Sequence, residues 1–252
     1  MMELISIIMP AFNAQKYISD TIESVISQTY DNWELIIVDD CSRDNTKDII
    51  ENFCSIDNRI HYYINDKNSG SAFSRNKALE KAKGRFIAFL DADDLWDNDF
   101  LKSQLSFLNK SNSPLVFSSY RRIDESGNKI LKDFIVPGIV CYDDLLKTCS
   151  ISCLTAVYDC DKIGKHYFDS SLGSLRDDYA MWLSILKSGI VATGNSNVLA
   201  SYRVFSQSTT SKKYKMIPRQ YGIYRNVEKF GLMKSLYYTF HWSVNGLIKY
   251  KR

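Results

Sequence analysis

Two rhythms alternate along the first half of the chain. Residues 4–9 (LISIIM) and 33–40 (WELIIVDD) are nearly unbroken apolar runs, the pattern of strands covered on both faces. Pro10 closes the first run. Between them, Tyr17, Ile18, Thr21, Ile22, Val25 and Ile26 recur at helical spacing. The alternation continues with a helix starting in SRDNTKDIIENF (42–53), a strand at IHYYIND (60–66), a helix over 71–83 and a strand at FIAFL (86–90). Gly84 stands where a helix C-cap is expected. Repeated strand–helix alternation without a low-complexity linker predicts right-handed βαβ units on a parallel sheet. Such sheets bind ligands beyond the carboxyl ends of their strands, which here are Pro10–Asn13, Asp39–Asp40, 65–70 and 91–94.

After residue 114 the rhythm changes. PLVFSSYRRIDESGNKIL (114–131) predicts two strands joined around ESGN, and SCLTAVYD (152–159) a further strand. RDDYAMWLSILKSG (176–189) predicts an amphipathic helix with Tyr179, Trp182, Leu183 and Leu186 on one side. A nucleotide-binding half (1–113) and a mixed α+β half (114–211) are therefore expected to form one fused unit, followed by a tail (212–252).

The 252 residues are 45% hydrophobic and 24% charged, which suits a soluble globular chain with a sizeable core. No early segment has the layout of a secretory leader, and no apolar run reaches the ~18 residues of a membrane span, so a cytoplasmic address is expected. Six cysteines without a CxxC pair or zinc spacing read as reduced thiols. The net charge of +3 is unevenly spread. From Lys212 onward ten Lys/Arg face one acid, Glu228 (+9), whereas the rest carries 22 cations against 28 acids (−6).

FIAFLDADDLWDND (86–99) places Asp91, Asp93, Asp94, Asp97 and Asp99 just beyond a strand. Oxygen-rich clusters of this kind suit Mg²⁺ or Mn²⁺ shared with substrate phosphates, although a solvated acidic turn with Asp97 as a helix cap has the same composition. Asp39 and Asp40 end a second strand on the same edge and can accept hydrogen bonds from a nucleoside. Arg75 lies one helical turn past Gly70-Ser71, where a helix N-terminus would be available to an anion.

Residues 5–46 and 68–94, with these motifs in this order, strongly resemble the family 2 glycosyltransferases of GT-A fold. The resemblance spans roughly residues 4–110 and resumes at RDDYAMWLSILKSG and YRVFSQSTTS (202–211). Bacterial enzymes building O-antigen, capsule or teichuronic acid are the most similar members. It implies a Rossmann-like nucleotide-binding half-sheet fused to an acceptor region, with C-terminal helices. Pro10, Ala11, Phe12 and Asn13 would line the nucleotide, Asp39 would face the base, and Asp40 would support that turn. Arg75 would lie near the diphosphate. Asp91 and Ala92 would approach the donor, and Asp93, the second acid of DxD, would bind Mn²⁺ or Mg²⁺ with Asp91 close by. Asp178 would be the catalytic base of an inverting transfer, with Asp177 and Trp182 on the acceptor side. Relatives often carry a His after the Tyr-Arg pair. Here Tyr202-Arg203-Val204-Phe205 has none, leaving Arg203 as a candidate for diphosphate charge.

The implied partners are a UDP-sugar and a saccharide on undecaprenyl diphosphate. The basic, aromatic tail is expected to hold the protein at the inner face of the cytoplasmic membrane, a helical layer or homodimer contact being the other use of such a segment. The acidic crevice argues against nucleic acid as a partner. A sugar nucleotidyltransferase would show a Gly- and Lys/Arg-rich loop where MPAFNAQKY stands, a dinucleotide enzyme would show GxGxxG, and a non-catalytic module would not need Asp91, Asp93 and Asp178.

Overall fold

A computed structural model of the protein describes residues 3–172, 176–205 and 216–251. Residues 206–211 of the expected YRVFSQSTTS motif, and 212–215 and 252 of the expected tail, lie outside the described residues. Strands β1 (Ile5–Ala11), β2 (Trp33–Asp39), β3 (Ile60–Ile64) and β4 (Phe86–Phe89) alternate with helices α1 (Ile18–Ile26), α2 (Thr46–Ile56) and α3 (Ser71–Lys81). These four strands pair in parallel in the order β3-β2-β1-β4, as the sequence rhythm predicts. Both faces are covered, which explains the unbroken apolar runs. Ile5, Ile7 and Met9 of β1 face one core, while Ile8 faces the other.

The second half continues the same sheet. After the short β5 (Leu95–Trp96) come α4 (Phe100–Ser111), β6 (Leu115–Ile123), β7 (Ile139–Val140), α5 (Tyr142–Lys147), β8 (Val157–Asp159), α6 (Cys160–Ile163), α7 (Asp177–Lys187) and β9 (Ala192–Arg203). The order runs on from β4 through β8, β6 and β9 to β5, with β7 on β9, and mixes parallel with antiparallel pairs. Helices α8 (Met216–Gly222), extended by a π turn over Ile223–Val227, and α9 (Leu232–Lys251) complete the described chain.

Three expectations change. The predicted hairpin turns at 124–128, but its return limb forms no regular strand and meets β6 through the isolated Ile123–Lys129 and Tyr120–Phe134 bridges, while β6 pairs with β9 over Val116–Ile123 and with β8 at Leu115–Val116. In SCLTAVYD, Cys153–Thr155 is a 3₁₀ turn and only Val157–Asp159 is strand. Gly84 is not the cap of α3, which ends at Lys81 with Ala82 beyond it. A Cβ at Gly84 would lie 2.6 Å from the Ser6 backbone nitrogen and 2.8 Å from the Leu4 carbonyl, so glycine is required there for close approach to β1. Gly84→Ala is expected to cost about 3 kcal/mol, the upper end for overpacking, read as a lowered denaturation midpoint at unchanged m-value.

Candidate active site

Strand order reverses between β1 and β4, so the residues following these strands flank the crevice that such a sheet offers to a ligand. The five acids near β4 have different fates. Asp94 is buried and accepts the Arg203 backbone N–H at 2.7 Å; burial, then the charges of Asp93 and Asp91, push its carboxyl well above the usual range. Asp97 forms a two-pronged pair with Arg121 at 2.5 and 2.7 Å, and Asp99 accepts the Thr29 hydroxyl at 2.5 Å. Asp91 and Asp93 remain partly accessible at the strand end. The turn carrying them is anchored by Thr21, whose hydroxyl donates to the Ala92 carbonyl, and by the Arg203 Nε, which donates to the Asp93 carbonyl.

Arg75 joins the two halves of the site. Its guanidinium is buried and donates to Asp91 at 2.6 Å and to Asp177 at 3.1 Å, with the Phe168 ring 5.3 Å away. Asp177 opens α7, so the bridge ties the helix start that also carries Asp178 to Asp91 of the DAD turn through Arg75. Burial raises the Asp177 carboxyl to about 6 against the pull of Arg75. Cys153 is buried within range of the same charges. Its thiol is pushed up by burial, opposed by Arg75 and reinforced by Asp178, Asp91 and Asp177. Asp178 is half-buried; its Oδ1 accepts the N–H of Tyr179 at 2.7 Å, and it forms no ion pair among the described residues. A half-exposed carboxylate beside a fixed cation–acid network can hold a proton taken from a bound hydroxyl.

On the other flank of β1, Asp39 is fully buried and accepts from the Ser42 N–H and hydroxyl and from Tyr62 Oη. Asp40 accepts from Asn65 Nδ2 and from the backbone N–H groups of Ser69 and Gly70 at 2.7–2.8 Å. Asp40 thus occupies the two N–H groups immediately before α3 (Ser71–Lys81). Asn13, with φ 49°, links the β1 end to the loop after β2, its N–H donating to Ser42 Oγ and its Oδ1 accepting from the Arg43 N–H. Phe12 beside it is half exposed, while Ala11 and Ala92 are buried. Pro10 lies in the β1–β2 register opposite Val38.

Three side chains sit differently from expectation. Arg203 is buried and clasps the carbonyls of Asp93, Asp124 and Glu125, with its guanidinium 4.6 Å from the Tyr17 ring centre; it braces the DAD turn instead of presenting charge to a diphosphate. Trp182 is fully buried, edge-on to Phe89 at 5.9 Å, so it supports the site from the core and not as an acceptor contact. Asp177, 3% exposed, is likewise turned to Arg75 and not to an acceptor. Sequence reasoning missed Tyr62, Cys153 and Phe168. None carries a motif, and each reaches the site only through the fold.

For a divalent cation the fitting donors are Asp93 and Asp91. Burial, then the charge of Asp91, raises the Asp93 carboxyl to about 6, an excess of negative charge that a cation would relieve. Among the described residues no three His, Cys, Asp or Glu converge into a ready-made cage. This donor set suits an ion sharing its coordination with phosphate oxygens, the habit of Mg²⁺.

The profile described as Glycosyl transferase family 2 matches residues 6–156. The chain is 40% identical over 246 residues to TuaG of Bacillus subtilis (strain 168), which carries the name teichuronic acid biosynthesis glycosyltransferase, with 98% of this chain and 97% of the relative covered. It is 39% identical over 248 residues to WfgD of Escherichia coli, named UDP-Glc:alpha-D-GlcNAc-diphosphoundecaprenol beta-1,3-glucosyltransferase (98% and 95% covered). Among solved structures it resembles S. aureus TarS 1-349 in complex with UDP (TM-score 0.68, 23% identity, 89% of this chain and 66% of that one). It also resembles the mannosyltransferase PcManGT from Pyrobaculum calidifontis in complex with GDP-Man and Mn2+ (TM-score 0.68, 18% identity, 90% and 64%). The chain thus spans about two thirds of these solved structures, and its fold is GT-A.

Proposed function

The chain belongs to glycosyl transferase family 2 and is a glycosyltransferase, and from that premise we propose an inverting, divalent-metal-dependent transfer of a hexose from a UDP-sugar to a saccharide on undecaprenyl diphosphate. The product would be a surface polysaccharide such as O-antigen or capsule. The observation that carries this reading is the Arg75 bridge, which ties Asp91 of the donor half to Asp177, the chain neighbour of Asp178. The donor and acceptor classes are supported by the names of the E. coli relatives, matched over nearly their full length.

In the proposed step Asp178 takes the proton of the acceptor hydroxyl as that oxygen bonds to C1 of the sugar. The bond from C1 to the diphosphate breaks, UDP leaves, and configuration at C1 inverts. Pro10, Ala11, Phe12, Asn13 and Ala92 line the nucleotide-sugar, with Asp39 on the base side and Asp40 holding the 65–70 loop. Asp93, with Asp91 beside it, would hold Mn²⁺ or Mg²⁺, which neutralises charge growing on the leaving diphosphate. Arg75 keeps Asp91 and Asp177 apart and oriented.

An acceptor of this kind places the work at the inner face of the cytoplasmic membrane, with peripheral attachment. Among the described residues no helix is long and apolar enough to cross a membrane. The test is calorimetric titration of UDP, GDP and TDP with and without Mn²⁺. UDP is expected to bind best, with metal, and Asp93→Asn to weaken that binding at least about tenfold. A preference for another nucleotide would reassign the donor, and no nucleotide binding at all would sink the reading.

A further inference from the structure

Helix α9 exposes an apolar face. Ser235, Tyr238 and Thr239, spaced for one helix side, are buried against the body. The opposite side shows Leu232, Met233, Leu236, Tyr237, Phe240 and Val244, each 37–78% exposed. They form one stripe about 18 Å long at the helical rise of about 1.5 Å per residue. A contiguous exposed apolar stripe marks a surface that is covered when the protein works.

Charge indicates the cover. Arg219 of α8, Arg225 of its π turn, Lys229 in the link to α9 and Lys234 of α9 are exposed. Glu228, the only acid over 216–246, is turned inward and held by Tyr142 and by Lys187 at 2.8 Å. The segment that carries the stripe thus exposes cations and no acid of its own over 216–246. Packing against a second copy would gather two sets of these cations around one interface with no exposed acid of the segment to offset them, whereas anionic headgroups would attract them.

We propose that this face of α9 is the surface by which the protein docks on an anionic bilayer, its apolar side chains entering the headgroup boundary and the flanking Lys and Arg meeting lipid charge. The docked helix also reaches the base. Trp242 stacks on the Arg176 guanidinium at 4.4 Å, and Arg176, in the left-handed region at φ 78°, immediately precedes Asp177 and Asp178. Docking would therefore hold the base-bearing end of α7 behind α9, one helix diameter (~10 Å) from the lipid surface. This use of the surface rests on the lipid-linked acceptor proposed above.

The test floats the full-length protein with phosphatidylcholine vesicles, with or without phosphatidylglycerol. Wild type should float with the anionic vesicles and be released at about 1 M salt, where the Debye length falls to about 3 Å. A Leu236→Glu/Phe240→Glu variant should lose about tenfold or more of this partitioning while binding UDP as wild type does. Unchanged flotation of the variant, no flotation of wild type, or a lipid-free dimer that the variant splits would each overturn the surface, the last assigning it to a second copy. Lost flotation in the variant alongside inactivity of wild type on any undecaprenyl-diphosphate saccharide would instead overturn the acceptor and leave the surface standing.

Discussion

Asp178→Asn is expected to lower sugar transfer by about three orders of magnitude while leaving UDP affinity within about twofold, the effect of removing a general base. The substitution keeps the size of the side chain and its hydrogen bond from the Tyr179 N–H, because the Asn carbonyl oxygen can replace Oδ1 as acceptor. What it removes is the capacity to hold the acceptor proton. Asp178 faces no cation in an ion pair among the described residues, so neutralising it should leave no buried charge unpaired and should barely move the melting temperature. Measured together, kcat, UDP affinity and melting temperature separate a proton acceptor from a structural acid. Normal transfer by Asp178→Asn would remove the base from this position.

Arg75→Met should do the opposite and damage fold and activity together. Arg75 is buried between Asp91 and Asp177, and its loss would leave two carboxylates facing each other with no counter-charge. Removing one partner of a buried ion pair costs about 3–5 kcal/mol. The loss should depend on pH. The Asp177 carboxyl already stands near 6, above its ordinary 3.8, because burial outweighs Arg75. A carboxyl raised in the native state contributes stability that is present below its unfolded value and lost as pH rises through the folded one, here between about 4 and 6. Without Arg75 its folded value should rise further. The deficit of Arg75→Met should then be largest near pH 8 and shrink toward pH 5, as denaturant midpoints across that range would show. Adding Asp177→Asn to Arg75→Met should recover part of the stability, since the double variant buries one charge fewer. A pH-independent deficit would mean that lost packing against Phe168, and not charge, accounts for it.

Most of the donor half was legible because its signals are local. The runs at 4–9 and 33–40 became β1 and β2, and the helical spacing from Tyr17 to Ile26 became α1, since a residue's face is set by neighbours within a turn or two. The second half was read less well. Strand β9, ATGNSNVLASYR, escaped notice because its polar and apolar positions do not alternate cleanly, and its place between β6 and β5 depends on partners some 80 residues and more away in sequence. Gly84 was legible as a required glycine but not for its reason, which is a strand approaching from 78 residues earlier.

The sequence by itself determined the parallel half-sheet, the strand-end location of the acids and the family to which they belong. Only the tertiary structure decided which acids have what work. Asp94, Asp97 and Asp99 look like Asp91 and Asp93 in the chain, yet Arg203, Arg121 and Thr29 arrive from distant segments to hold them, while Arg75 reaches across 102 residues to Asp177. The physical reason is range. Periodicity is written over a few residues, whereas the role of a carboxylate is set by whatever stands within about 3 Å of its oxygens, and folding alone brings those partners there.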